Sequence, residues 1–141
     1  MLRFSANLGF LWSELPLPAA IMAAAKAGFD AVECHWPFDV LSTDVSKVLK
    51  DTDLPMISLN TRRGDLKTDD FGVAAVPGRE PEARSLIDEA INYAQKIDAR
   101  AVHVMAGRTD RGDAGRAESW RRLCAGRPGV PAPTRCSHAE R

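Results

Sequence analysis

The feature that most constrains this chain is a strand-then-helix unit that recurs along its first hundred or so residues and loses all pattern near Trp120. Leu2 to Leu8, apolar and small up to Asn7, reads as a first strand. Pro18 suits the opening turn of a helix whose apolar or small positions Ala20, Ile21, Ala24 and Ala27 follow helical spacing, and Gly28 closes it. Ala31 to Trp36, bounded by Gly28 and Pro37, is a second strand of ordinary length. Ser42 or Thr43 is placed to cap a second helix carrying Val45, Val48 and Leu49 as a narrow apolar stripe, ending by Asp51 and Asp53. Pro55 to Asn60 is a third strand, and its terminal asparagine falls on the same rim as Asn7.

From Thr61 to Val76 the chain carries Gly64, Gly72 and several charged side chains, a connection longer than a crossover needs and of the kind that often bears function. The third helix is the clearest local signal. Ala83, Leu86, Ile87, Ala90, Ile91, Ala94 and Ile97 fall at helical spacing, Pro81 stands near the start, and Glu80 and Glu82 put negative charge beside the free amides of the first turn. Ala101 to Met105 then reads as a fourth strand, followed by Ala106 and Gly107. Strands alternating with helices imply parallel pairing and right-handed crossovers. That leaves a closed βα barrel and an open doubly wound sheet as the two architectures.

Composition narrows the function classes. A chain of 141 residues falls short of the roughly 250 of a complete βα barrel. No apolar run approaches the roughly 20 residues of a membrane span, and Met1 leads straight into the first strand with no secretory pattern, so no membrane role and a cytoplasmic location are expected. Cys34, Cys124 and Cys136 lack both zinc-site spacing and the even count of a disulfide framework and read as reduced thiols. Residues 1–120 hold 14 Lys and Arg against 18 Asp and Glu, whereas 121–141 hold 5 against 1. That last segment, with Pro128, Pro131 and Pro133 and no apolar period, reads as a disordered tail, the product of a shifted reading frame rather than a basic arm for nucleic acid. The domain division expected is therefore 1–120 and 121–141.

Motifs remove further classes. Gly64 and Gly78 belong to neither phosphate-binding glycine pattern, and Ser5, Ser13 and Ser58 lack the context of an activated nucleophile. The residues at strand ends are the ones left to consider. His103 alternates with Val102 and Val104 and so points to the opposite face, where it lines a lumen or is a structural histidine; His35 reads as structural or exposed. Asn7 and Asn60 either contact a ligand or cap their strand ends. Arg62, Arg63, Arg79 and Arg108 are candidates for attracting a carboxylate, against the commoner solvated loop arginine.

Five blocks in register carry a resemblance: Leu2-Arg3-Phe4-Ser5-Ala6-Asn7-Leu8, Gly28-Phe29-Asp30-Ala31-Val32-Glu33, Asn60-Thr61-Arg62-Arg63-Gly64-Asp65, Gly72 to Glu80, and His103-Val104-Met105-Ala106-Gly107-Arg108. Over residues 1–120 the chain resembles the hydroxypyruvate isomerase family. The resemblance implies the N-terminal half, about four βα units, of a xylose-isomerase-like TIM (β/α)8 barrel. It also implies interconversion of hydroxypyruvate and tartronate semialdehyde through an enediol, with tetronate isomerase activity as a neighbouring alternative. Such chemistry needs a base at an acidified carbon and an electrophile at the enediolate, a part that magnesium or manganese can play in the complete family member.

The family's general-base glutamates and metal ligands lie on strands five to eight, so the resemblance transfers no catalytic or metal-binding residue to this chain, and Glu33 does not match them. What transfers is a substrate-binding rim of Asn7, Trp36, Phe38, Asn60, His103 and Arg108 facing a small hydroxy-carbonyl acid. Four βα units leave two strand edges unpaired, so self-association or a completing second half is expected, along with inactivity of the chain alone. The reading of another class is a non-catalytic half-barrel that binds small acids.

Overall fold

The computed structural model describes residues 2–64 and 71–108. Its elements run β1 (Ser5–Asn7), α1 (Leu17–Lys26), β2 (Ala31–Cys34), a 3-10 turn at Pro37–Asp39, α2 (Ser42–Thr52), β3 (Met56–Asn60), α3 (Glu80–Lys96) and β4 (Ala101–His103). The four strands form one sheet in the order β1-β2-β3-β4, every pair parallel. A doubly wound sheet reverses its strand order partway and puts helices on both faces. Here the order never reverses, and residues of all three helices enter one core with β1, β2 and β3. The described residues therefore form a sector of a βα barrel. The expected tail at 121–141, with Cys124 and Cys136, lies outside the described residues.

Strand periodicity divides the sheet into two unlike faces. Ala6 pairs with Val32, Cys34 with Leu59, and Leu59 with Val102. Ala6, Val32, Cys34 and Leu59 are buried against Ala20, Ile21 and Ala24 of α1, Val45 and Leu49 of α2, and Ala90 and Ala94 of α3. The side chains of Ile21, Val32, Val45, Met56 and Leu59 are enclosed almost completely. Each contributes about 1.5–3 kcal/mol by leaving water. The alternate positions pair Asn7 with Glu33, Glu33 with Ser58, and Asn60 with His103, which leaves a polar row on the face without helices. A register shift between Val32 and Glu33 carries the pairing from Met56 to Ser58 and keeps that row polar.

Several local expectations shift on contact with the fold. β2 and β4 end short of their apolar runs, where His35 and Val104 turn into loops, and β1 is confined to the three residues that pair with β2. Neither Ser42 nor Thr43 caps α2; Leu41 holds that position, and its carbonyl accepts the first helical bonds from Asp44 and Val45. α3 buries Ala83, Ile87, Ala90 and Ala94 as its spacing implies, but Ile91 is exposed. Tyr93 is buried in its place, since its hydroxyl donates to the Val40 carbonyl at 2.9 Å and so takes a polar atom into the core without leaving it unpaired.

Replacement of Leu59 by alanine is expected to cost about 2–5 kcal/mol in chemical denaturation, as a cavity forms at the centre of the helix-facing core. Ile91→Ser in the same assay should stay within about 0.5 kcal/mol. A large loss at Ile91 would contradict this assignment of the two helix faces.

Candidate functional site

The C-terminal ends of the strands are tied to one another before any ligand arrives. Leu8 N–H donates to the Glu33 carbonyl at 2.8 Å and Asn60 N–H to the His35 carbonyl at 3.0 Å, binding the exits of β1, β2 and β3. Thr61, buried, donates its N–H to the His103 carbonyl at 2.9 Å, and its hydroxyl oxygen accepts from Met105 N–H at 2.9 Å. The chain returns at Gly72, which bridges antiparallel to Ala106, and Ala74 and Ala75 donate to the Met105 and Ala106 carbonyls. Gly72 and Gly107 both hold positive φ, and a Cβ on either would strike the backbone of the opposing segment.

On this rim the residues expected to bind substrate separate into groups. His103 Nδ1–H donates to Asn60 Oδ1 at 3.2 Å, which leaves Nε2 of an exposed imidazole outside that bond. Beside them on the same face, Ser58 donates to Glu33 Oε2 at 3.0 Å. Asn7 turns inward on its own loop, where its Oδ1 accepts from Gly9 N–H at 2.9 Å, the local role that asparagine takes at strand ends. Phe38 belongs to the other side of the sheet: it packs against the helix-facing core, with its ring 5.7 Å from that of Tyr93. Arg108 lies with its guanidinium 5.0 Å over Phe71.

Trp36 has a neighbour that sequence alone did not supply. The Arg63 guanidinium lies 3.9 Å from its ring centroid, face-on, while the His35 ring stands 5.1 Å away on another side. His35 in turn meets Phe10 edge-on at 5.0 Å, and its ring occupies the space that a side chain on Gly9 would need. Arg62, one residue earlier, goes elsewhere. Its guanidinium donates to both Glu89 carboxylate oxygens, at 3.2 and 3.1 Å, reaches Asp39 at 3.5 Å and covers the Phe38 ring. The available signals for His35 and Arg63 were the glycine just past β1 and the paired arginines just past β3.

Charge at the rim follows from these neighbours. Burial holds the His35 imidazole below its ordinary 6.5; Glu33 pulls the other way, and Arg63 and His103 add to the lowering. Burial, reinforced by Glu33, pushes the Cys34 thiol up to about 12, so this free cysteine is no nucleophile at neutral pH. A cleft of about 220 Å³ opens between the loops after β1 and β2, lined by Gly9, Ser13, His35 and Trp36. Among the described residues no three His, Cys, Asp or Glu side chains converge, so they do not form a cage for the divalent cation that the resemblance implies.

The described residues thus set a polar row on the open face of a barrel sector, at the C-terminal strand ends where βα barrels carry their sites. Residues 21–127 match the xylose isomerase-like TIM barrel family, and the chain belongs to that family. It is 42% identical over 112 residues to a protein of Danio rerio named "Putative hydroxypyruvate isomerase", an alignment that takes in 79% of this chain and 41% of the relative. The hydroxypyruvate isomerase of Escherichia coli is 36% identical over 79% of this chain and 43% of its own length. A crystal structure titled AP endonuclease, family 2, from Brucella melitensis superposes with a TM-score of 0.81 at 35% identity, covering 87% of this chain and 48% of that one. The chain thus spans less than half the length of these relatives.

Two outcomes test this site. Gly9→Ala should displace the His35 ring, with a loss of about 1–3 kcal/mol in denaturation and shifted His35 imidazole resonances; an unmoved ring would refute the contact. Because the fold favours neutral His35, the unfolded chain takes up that proton first as pH falls. The stabilisation from His35 is therefore intact above pH 6.5 and is lost as pH drops through the lowered folded value. The melting temperature should fall less steeply between about pH 7 and about pH 5 in His35→Gln than in the parent.

Proposed function

We propose that this chain is the substrate-rim half of an aldose-ketose type isomerase of small hydroxy-carbonyl acids, with hydroxypyruvate and tartronate semialdehyde as the favoured pair. In this reaction a proton leaves the hydroxymethyl carbon, an enediolate forms, and a proton returns to the adjacent carbon as the carbonyl moves one position. The observation that carries the reading is the polar row Glu33, Ser58, Asn60 and His103 on a helix-free parallel face, in a chain whose relatives bear isomerase names. Asn60 and the free nitrogen of His103 supply a donor and an acceptor to the hydroxyl and carbonyl of such a substrate.

The 2-oxo-tetronate isomerase of Haemophilus influenzae, 37% identical over 75% of this chain, supports one-carbon-longer acids as the second reading. With helices on one face only, the sheet leaves its other face uncovered and its outer strands β1 and β4 with unpaired edges, whereas parallel sheets have both faces covered. We therefore place the general base, and the ligands of a divalent cation such as magnesium or manganese, on a second four-stranded half that packs across the open face. That half is a second copy of this chain or a separate segment, and the chain alone is inactive. The reading calls for neither nucleic acid nor membrane. Among the described residues no helix is long and apolar enough to cross one. The free thiol of Cys34 supports a reducing, cytoplasmic setting.

Light scattering after size exclusion, run alongside a hydroxypyruvate assay with magnesium or manganese, tests this. The expected result is an associated species, with turnover confined to assemblies that contain a complete barrel. Turnover by a stable monomer of this chain would contradict the placement of the base.

A further inference from the structure

Adjacent arginines leave β3 toward different neighbours, and among the described residues only Arg62 is paired with carboxylates. Arg62 is consumed by a bidentate bond to Glu89, a contact with Asp39 and the Phe38 ring, all of which hold the loop to α3. Arg63 meets no carboxylate among the described residues. Its guanidinium carbon lies over the Trp36 ring, 3.9 Å from the centroid, a contact that does not consume its N–H donors. The Trp36 indole N–H is itself buried with no acceptor among the described residues, which leaves one donor at this spot unpaired. Arg63 also stands close enough to His35 to act on its charge, as do Glu33 and His103, so all four groups share one neighbourhood at the ends of β2, β3 and β4.

We propose that the Arg63 guanidinium, oriented by Trp36, is the carboxylate receptor of this rim and fixes which end of the substrate enters first. The inference rests on the isomerase reading only for the identity of the ligand. A planar fork of free N–H donors matches the two oxygens of a carboxylate. Glu33, held by Ser58, repels the same group from the sheet centre. A hydroxy-carbonyl acid therefore binds with its carboxylate on Arg63 and its hydroxyl and carbonyl toward Asn60 and His103. Arg108, the arginine singled out by its place after β4, lies instead over Phe71.

The test compares hydroxypyruvate, hydroxyacetone and acetate in nuclear magnetic resonance titrations of the full chain. Hydroxyacetone keeps the hydroxy-carbonyl skeleton and replaces the carboxylate with methyl. The parent chain should bind hydroxypyruvate at least about tenfold more tightly than hydroxyacetone, with the Arg63 side-chain resonances shifting. Arg63→Gln should abolish the difference and leave hydroxyacetone binding unchanged. Arg63→Lys, which keeps the charge but loses the planar fork, should restore part of it, and Trp36→Leu should weaken the acids alone. Thermal melts of each variant identify loss by unfolding, and Lys26→Gln serves as the remote control. Equal hydroxypyruvate binding by the parent and Arg63→Gln would overturn the receptor and leave the isomerase reading standing. No binding of any acid by the parent would overturn it as well. Arg63-dependent binding of acetate, without binding of either hydroxy-carbonyl compound, would uphold the receptor and sink the isomerase reading.

Discussion

Everything in this molecule depends on one geometric fact, the alternation of side chains across four parallel strands that are covered by helices on one side only. A one-residue slip in any strand would exchange its two faces. The register prevents it: Ala6, Val32, Cys34 and Leu59 line up against the helices, and the intervening positions bring Glu33, Ser58, Asn60 and His103 to the other surface. Core and site are two readouts of the same hydrogen-bond ladder. The enclosed methyl groups of Val32 and Leu59 hold the polar row in place, although they touch none of it.

Past the strand end two neighbouring arginines do different work. Thr61 is locked between the His103 carbonyl and the Met105 amide, and from that anchor Arg62 and Arg63 diverge to different partners. Arg62 becomes part of the scaffold through Glu89, and Arg63 settles on an aromatic face and meets no carboxylate among the described residues. Burial keeps the nearby His35 ring neutral, so it adds no second positive charge beside Arg63 near neutral pH. Among the described residues the rim thus brings together the Arg63 cation, the Glu33 carboxylate held by Ser58, and the hydrogen-bonding groups of Asn60 and His103.

Much of the architecture was legible in the sequence because it is written in local periods. The spacing of Ala20, Ile21 and Ala24, and of Ala83, Ile87, Ala90 and Ala94, marks the helix faces that are in fact buried. Three-dimensional partners decide the rest. Ile91 fits the apolar stripe and is exposed, whereas Tyr93 does not fit it and is buried, because a carbonyl fifty-three residues away accepts its hydroxyl proton. Phe38 follows a strand end as Trp36 does, yet it packs with Tyr93 on the helix side, a difference produced by the 3-10 turn that begins at Pro37. The pairing of Asn60 with His103 spans forty-three residues and follows from register, which no single segment encodes. Arg62 and Arg63 are indistinguishable as letters and separate only once Thr61 is tied to β4.

The close approach of Gly72 and Gly107 has an evolutionary corollary. Thr61 is clamped to the β4 exit at the start of the β3–α3 connection, and Gly72 meets Gly107 before the chain enters α3. A side chain at either glycine would force the two backbones apart, so these positions admit far less sequence change than the exposed surface of the helices.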